Sequence, residues 1–119
     1  MTTRHEIDGL LPLQPAEYYI LLSLHGEDRH GYALIKDIER RSGGAVRLSA
    51  GTLYRTIQRL LEKGLIVELD ERPDPEQDDE RRRYYRISEL GVKAARAEAG
   101  RLAGLVRMAR RSGIVPEGA

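Results

Sequence analysis

The sequence predicts a mainly α-helical domain with one small β-hairpin and a long helix at its C-terminal end. Three observations carry that prediction. Apolar residues recur at three- and four-residue spacing in four separate stretches, the mark of helices that bury one face. Two short β-branched and tyrosine-rich runs, at 65–69 and 84–87, flank a Pro- and acid-rich segment. The 119 residues contain no Cys, Phe or Trp, so six Tyr and the aliphatic residues must build a single core.

Residues 1–13 show no period and are expected to form a loose arm. Pro15 then opens the first helix, 15–24, where its missing N–H has no helical partner to lose. Ala16, Tyr19, Ile20, Ser23 and Leu24 supply the spacing, and the Tyr18-Tyr19 pair reads as core. Gly26 ends the helix and Glu27-Asp28-Arg29 form a polar turn. Gly31 and Tyr32 open a second helix, with Tyr32, Ile35, Ile38 and Glu39 on one side and Lys36, Asp37, Arg40 and Arg41 on the other. Gly43-Gly44 stops it, and Val46-Arg47-Leu48 alternate as a very short strand would.

Ser49 is an N-cap for a third helix over 50–63, its hydroxyl answering free N–H groups of the first turn. Leu53, Ile57, Leu60 and Leu61 share one face. Gly64 stands at the C′ position. Strands at 65–69 and 84–87 then pair as a hairpin whose tip, around 72–80, is oversized. Ser88 and Glu89 start a helix over 89–111, about 34 Å long at 1.5 Å per residue. Three helices followed by a two-stranded hairpin make a winged helix-turn-helix. The divisions expected are an arm at 1–13, a winged domain at 14–88, a dimerisation helix at 89–111 and a tail at 112–119.

The formal net charge is +1, from 20 Lys and Arg against 19 Asp and Glu. That balance conceals a split. Residues 68–80 carry −7 and the remainder +8. A basic body with one acidic loop is compatible with an anionic partner in a way that an evenly neutral protein is not.

The outer arc of the third helix presents Gly51, Thr52, Arg55, Arg59 and Glu62, with Gln58 and Thr56 at its margins and Tyr54 at its flank. Arg pairs bidentately with guanine, Gln with adenine, and Thr meets a phosphate or a thymine methyl. Ser49 and Gly51 let the positive helix end approach a duplex backbone, and a phenol such as Tyr54 reaches a phosphate. On the second hairpin strand, Arg82, Tyr84 and Arg86 face one side, and Arg83, Tyr85 and Ile87 the other. Arg82, Arg83 and Arg86 give this strand the basic edge that a wing uses on phosphates. The plain alternative for both surfaces is solvated charge. It is weakened because a winged helix sets the two side by side.

Four segments, in order, resemble the PadR family of bacterial transcription regulators. His30-Gly31-Tyr32 is similar to the opening of that family's second helix, and Leu48-Ser49-Ala50-Gly51-Thr52-Leu53-Tyr54 to its recognition-helix motif. Leu60-Leu61-Glu62-Lys63-Gly64-Leu65-Ile66 resembles the turn into the wing, and Arg83-Tyr84-Tyr85-Arg86-Ile87-Ser88 with Gly91 resembles the path into the last helix. The resemblance covers roughly residues 10–110. Ala50 departs from it, since the family commonly has proline there. The resemblance implies a homodimeric repressor on a palindromic operator, of the short type with a single C-terminal helix. It also implies a small-molecule effector of unidentified kind, because some relatives respond to phenolic acids or planar drugs. The stacking tryptophan of the drug-binding relatives has no counterpart in a chain without Trp.

The long helix points to a dimer by itself. Leu90, Ala94, Ala95, Ala99, Leu102, Leu105, Val106 and Ala109 form a stripe longer than one winged core covers. A two-fold axis would set two recognition helices about 34 Å apart on an inverted-repeat operator of double-stranded DNA. Other functions find less support. His25, Glu27, Asp28 and His30 sketch a metal site, but read better as a polar turn. No phosphate loop, nucleophile elbow or His–carboxylate pairing points to an enzyme, and no cofactor is expected. No apolar run has the length of a membrane span, and the N-terminus lacks the apolar region of a signal peptide, so a cytoplasmic protein is expected. The strongest rival is a winged helix that binds another protein and not DNA.

Overall fold

The computed structural model describes residues 4–69, 72–74, 77–115 and 117. The chain runs α1 (Arg4–Asp8), α2 (Pro15–Leu24), β1 (Arg29–His30), α3 (Gly31–Arg41) and α4 (Ala50–Glu62). β2 (Ile66–Glu68), β3 (Arg72–Asp74), β4 (Gln77–Arg82), β5 (Tyr84–Ile87) and α5 (Glu89–Arg111) follow. The expected mainly helical winged helix-turn-helix is observed.

The helices start where short polar side chains answer free N–H groups. Ser49 Oγ accepts from the Thr52 N–H at 3.1 Å, and Ser88 Oγ accepts from the Gly91 N–H at 3.0 Å. The third cap is unexpected in type: His30 Nδ1 accepts from the Ala33 N–H at 3.2 Å and opens α3. Ile20, Leu21 and Leu24 of α2, Leu34 and Ile38 of α3, and Leu53, Ile57 and Leu60 of α4 close into one core with Leu65, Ile66, Tyr85 and Ala94. Thr56 is buried with them because its hydroxyl donates to the Thr52 carbonyl at 2.7 Å, leaving no polar atom unsatisfied.

The sequence places the inner face of α3 wrongly. Tyr32 is exposed, and Asp37, expected on the outer side, is buried beside Leu34 and Ile38. Pattern reading puts a carboxylate outside by default. Here the ion pairs described below cover it.

The wing also differs from the expected two strands. β5 is central in a three-stranded antiparallel sheet ordered β1–β5–β2. Ile66 stands opposite Ile87 and Glu68 opposite Tyr85, while Arg29 and His30 stand opposite Tyr85 and Tyr84. The short strand expected at 46–48 does not form. The Val46 N–H instead donates to Ser42 Oγ at 3.0 Å. The free edge of β5 is filled by Arg29–His30, a pair of residues too short to show alternation and read as turn in the sequence. The tip, expected as loop, holds a separate two-stranded sheet of β3 and β4, with Arg72 opposite Arg82. The side chains of the acidic tip lie outside the described residues.

Residues 1–13 are not a loose arm over the described part. Ile7 of α1 is buried, Leu13 joins the core, and the Leu13 N–H donates to Glu98 Oε1 of α5 at 3.4 Å. A five-residue helix is too short for its period to be read.

Helix α5 spans 23 residues, as expected. Its first turns dock on the wing through Ser88, whose N–H donates to the Leu65 carbonyl at 3.0 Å and whose hydroxyl donates to the Gly64 carbonyl at 2.6 Å. Gly91 is required by closeness: a Cβ there would stand 2.1 Å from the Leu65 carbonyl oxygen and 2.8 Å from Ile87 Cγ1. Beyond Glu98 the helix leaves the core, and Leu102, Leu105, Val106 and Met108 are exposed.

Gly91→Ala should therefore destabilise the protein by about 1–3 kcal/mol or more, since backbone has to move. Gly100→Ala, on the same helix with open space around it, should stabilise by up to about 1 kcal/mol through helix propensity. Thermal unfolding of the two variants checks both; equal shifts would show that the Gly91 contact is not tight.

Candidate nucleic-acid interface

Helix α4 buries Leu53, Thr56, Ile57 and Leu60 and turns Arg55, Gln58 and Arg59 outward, all three exposed. The cations lean along the helix without an acidic partner among the described residues. Arg55 Nη2 donates to Thr52 Oγ1 at 3.4 Å, and Arg59 Nη2 to Thr56 Oγ1 at 3.4 Å. Gln58 Nε2 reaches Glu62 Oε1 at 3.5 Å, a weak contact that a better acceptor would displace. Gly51 and Ser49 are exposed at the positive end of the helix, and Thr52 is half-buried beside them.

Tyr54 is half-exposed, and its ring lies over Gly31. A Cβ at Gly31 would meet Tyr54 Oη at 2.5 Å and Leu53 Cδ2 at 3.2 Å. Two motif residues are thereby explained together: the start of α3 has no side chain because the phenol of α4 occupies that space. The next residue, Tyr32, is exposed and carries Lys36 Nζ 5.0 Å above its ring.

On the wing, Tyr85 is buried and Arg83 and Arg86 are exposed, so the strand alternates with Tyr85 and Ile87 toward the core. Burial pushes the Tyr85 phenol above its ordinary value, and the neighbouring Glu68 carboxylate adds to this. Arg83 Nη1 lies 3.6 Å from Glu68 Oε1 across the sheet. Arg86 is not an open cation. Its Nε and Nη2 donate side-on to Asp28 Oδ1 and Oδ2 at 2.9 and 2.8 Å, a bond that holds its charge more firmly than usual. Of Arg82 only the backbone, at the end of β4, is described.

Behind the interface stands a group the pattern reading missed. Asp37 receives Ser23 Oγ at 2.6 Å, Arg41 Nε at 2.8 Å, Arg29 Nη2 at 3.6 Å and the Arg40 guanidinium. Burial drives its carboxyl upward, but the Ser23 hydrogen bond and the guanidinium groups of Arg40, Arg29 and Arg41 outweigh that and hold it below the usual carboxylate range. The signal in the sequence was Asp37 followed at three and four residues by Arg40 and Arg41. A second buried carboxylate, Glu98, is held low mainly by the bidentate hydrogen bonds of Arg101, and also accepts the Leu13 N–H. Among the described residues no three His, Asp or Glu side chains converge as a metal site, and no helix is long and apolar enough to cross a membrane.

Residues 20–97 match the model of the transcriptional regulator PadR-like family, about two-thirds of the chain. The chain belongs to the PadR-like family. A solved transcriptional regulator from Clostridium thermocellum is similar in fold to this PadR-like chain, with a TM-score of 0.68 and 24% identity over 88% of this chain and 94% of that one. Bacillus subtilis PadR, solved in complex with operator DNA, gives a TM-score of 0.61 and 16% identity over 72% of this chain and 47% of that one. An uncharacterized protein of Lysinibacillus sphaericus is 33% identical over 72 residues, or 60% of this chain; the match spans 63% of that relative's length. The winged helix described above is the fold these solved PadR-type structures share.

The two depressed carboxyls set an acid limit. Each contributes stability that is fully present above the unfolded-state value near pH 4 and is lost as pH falls through the lower folded-state value. The Tm should drop progressively below about pH 4. Asp37→Asn should lower stability at neutral pH by about 3 kcal/mol and flatten that acid slope. An unchanged slope in the variant would show that Asp37 is not a source of it.

Proposed function

We propose that this PadR-like chain is a sequence-specific transcriptional regulator that binds double-stranded DNA as a homodimer, acting as a repressor on an inverted-repeat operator in the cytoplasm. The observation that carries the reading is the division of α4: its apolar face is locked into the core, while Arg55, Gln58 and Arg59 stand exposed with only weak contacts to neighbouring hydroxyl and carboxylate oxygens. A rigid helix with two guanidinium groups and a carboxamide in consecutive turns fits the donor and acceptor pattern of a major groove. Thr52, Tyr54 and the Ser49–Gly51 end would position the helix on phosphates, and Arg82 and Arg83, where β4 passes into β5, would follow the adjacent backbone. The operator-bound Bacillus PadR, a neighbour in fold, supports this reading.

The dimer is carried by α5. Leu102, Leu105 and Val106 continue the line of the buried Ala94, half-buried Ala95 and exposed Ala99 past the end of the core, with Ala109 beyond them. An apolar cavity of about 240 Å³ between α2 and α5, lined by Tyr18, Leu21, Leu22, His25, Val92 and Ala95, is sized for a small effector. A ligand seated there would press on the helix that sets the distance between two recognition helices. The rival reading, a winged helix that binds only protein, would leave the exposed Arg55, Gln58 and Arg59 without a role.

Arg55→Ala and Arg59→Ala should each weaken specific binding by about 1–3 kcal/mol while leaving the Tm unchanged. The measurement is retention of a duplex selected from random sequences, titrated against salt. Wild-type binding that is absent, or insensitive to salt, would sink the DNA reading. Paired loss of binding and stability would show instead that the face is packed.

For the dimer, Leu102→Asp combined with Leu105→Asp should yield monomers in sedimentation, with the winged domain still folded. A persisting dimer would move the interface elsewhere.

A further inference from the structure

Asp28 and Arg86 form a two-point ion pair at the base of the wing. The antiparallel ladder of β1 and β5 aligns Arg29 with Tyr85 and His30 with Tyr84. One step further along the same register brings Asp28 opposite Arg86. The pair thus extends a strand of only two residues, whose edge also carries the His30–Tyr84 ring contact. The fork geometry, with Nε and Nη2 on the two carboxylate oxygens, fixes direction as well as distance.

Each end of the pair belongs to a different part of the reader. Asp28 projects from the turn after α2, and that turn is itself anchored: Arg29 Nε donates to the Ser23 carbonyl at 2.8 Å and its Nη2 reaches the buried Asp37. Arg86 lies on β5, the strand that returns from the wing tip and runs through Ser88 into α5. A carboxylate held by the helix-turn-helix therefore grips the wing at the end away from its tip.

We propose that Asp28 and Arg86 are positioning residues that set the wing's angle against the recognition helix, and that Arg86 is not a phosphate contact. This rests on the DNA-binding reading given above. The guanidinium is already forked onto a carboxylate at 2.9 and 2.8 Å, so a phosphate would have to displace Asp28 to bind it. Arg83, nearer the tip, lies 3.6 Å from Glu68 without the fork geometry.

The test is a set of four full-length variants, Asp28→Ala, Arg86→Ala, Arg86→Asp and the exchange Asp28→Arg with Arg86→Asp. Each is measured for affinity to the duplex selected by the wild-type protein, for the slope of that affinity against salt, and for Tm. The positioning role predicts that both alanine variants bind about 3–10-fold more weakly, with the salt slope unchanged. Arg86→Asp should be weaker still, and the exchange should restore at least half of the lost affinity. All should melt within about 4 °C of the wild type, as expected for a pair at the surface. A phosphate contact predicts otherwise: Arg86→Ala lowers the salt slope by about one, Asp28→Ala tightens binding by releasing a cation, and the exchange rescues nothing. Any of those three results overturns the proposal. If the wild-type protein shows no salt-sensitive binding, the DNA reading fails first and this role fails with it. If the wild type binds and all variants match it, the positioning role alone is overturned.

Discussion

One buried carboxylate organises the helix-turn-helix. Asp37 sits where α2 and α3 meet, and its partners come from three elements: Ser23 on α2, Arg29 on β1, and Arg40 and Arg41 on α3 itself. Taking such a group out of water costs several kcal/mol unless its lone pairs are filled, and here they are filled from every side. The arrangement links parts that apolar packing would leave free to slide. Leu34 and Ile38 supply adhesion between the helices, while the carboxylate supplies register. Through Arg29 the same centre fixes the turn that leads into the sheet, so the position of the wing begins with a residue on a helix.

Much of this was legible in the sequence because most of it obeys periodicity. The bounds of α2, α4, β5 and α5 follow from proline, serine and glycine punctuation around apolar faces. The outer face of α4 was equally open to reading, since Arg55, Gln58 and Arg59 fall opposite Leu53, Ile57 and Leu60 by spacing alone. What escaped has a common cause. β1 is two residues long, α1 five, and neither is long enough to carry a period. Asp37 escaped because burial of a charge depends on partners brought from elsewhere in the chain. The ion pair of Arg86 escaped because its partner Asp28 lies 58 residues away.

The cap of α3 and the glycine beside it show how one helix prepares another. His30 Nδ1 accepts from the Ala33 N–H, and its ring meets Tyr84 in a T-shaped contact, 5.4 Å between centroids, tying the helix start to the wing. Gly31, one residue on, leaves the space that Tyr54 takes. A histidine and a glycine adjacent in sequence thus fix the wing and the recognition helix respectively. This is a physical reason for the pair to occur together, and it needs no contact with a ligand.

The fit of Gly91 against the Leu65 carbonyl has a further meaning. Helix and wing touch there backbone to backbone, with no side chain between them to act as a cushion. α5 therefore cannot tilt without carrying the hairpin, and the hairpin cannot shift without turning α5. For a dimer joined through the outer half of α5, base preference and half-site spacing become separately inherited traits. On the proposed DNA-binding reading, the first rests on the outward residues of α4 and the second on the crossing angle of two α5 helices. A change at Leu105 or Val106 could then retune the distance a repressor measures along DNA without altering a single letter that it reads.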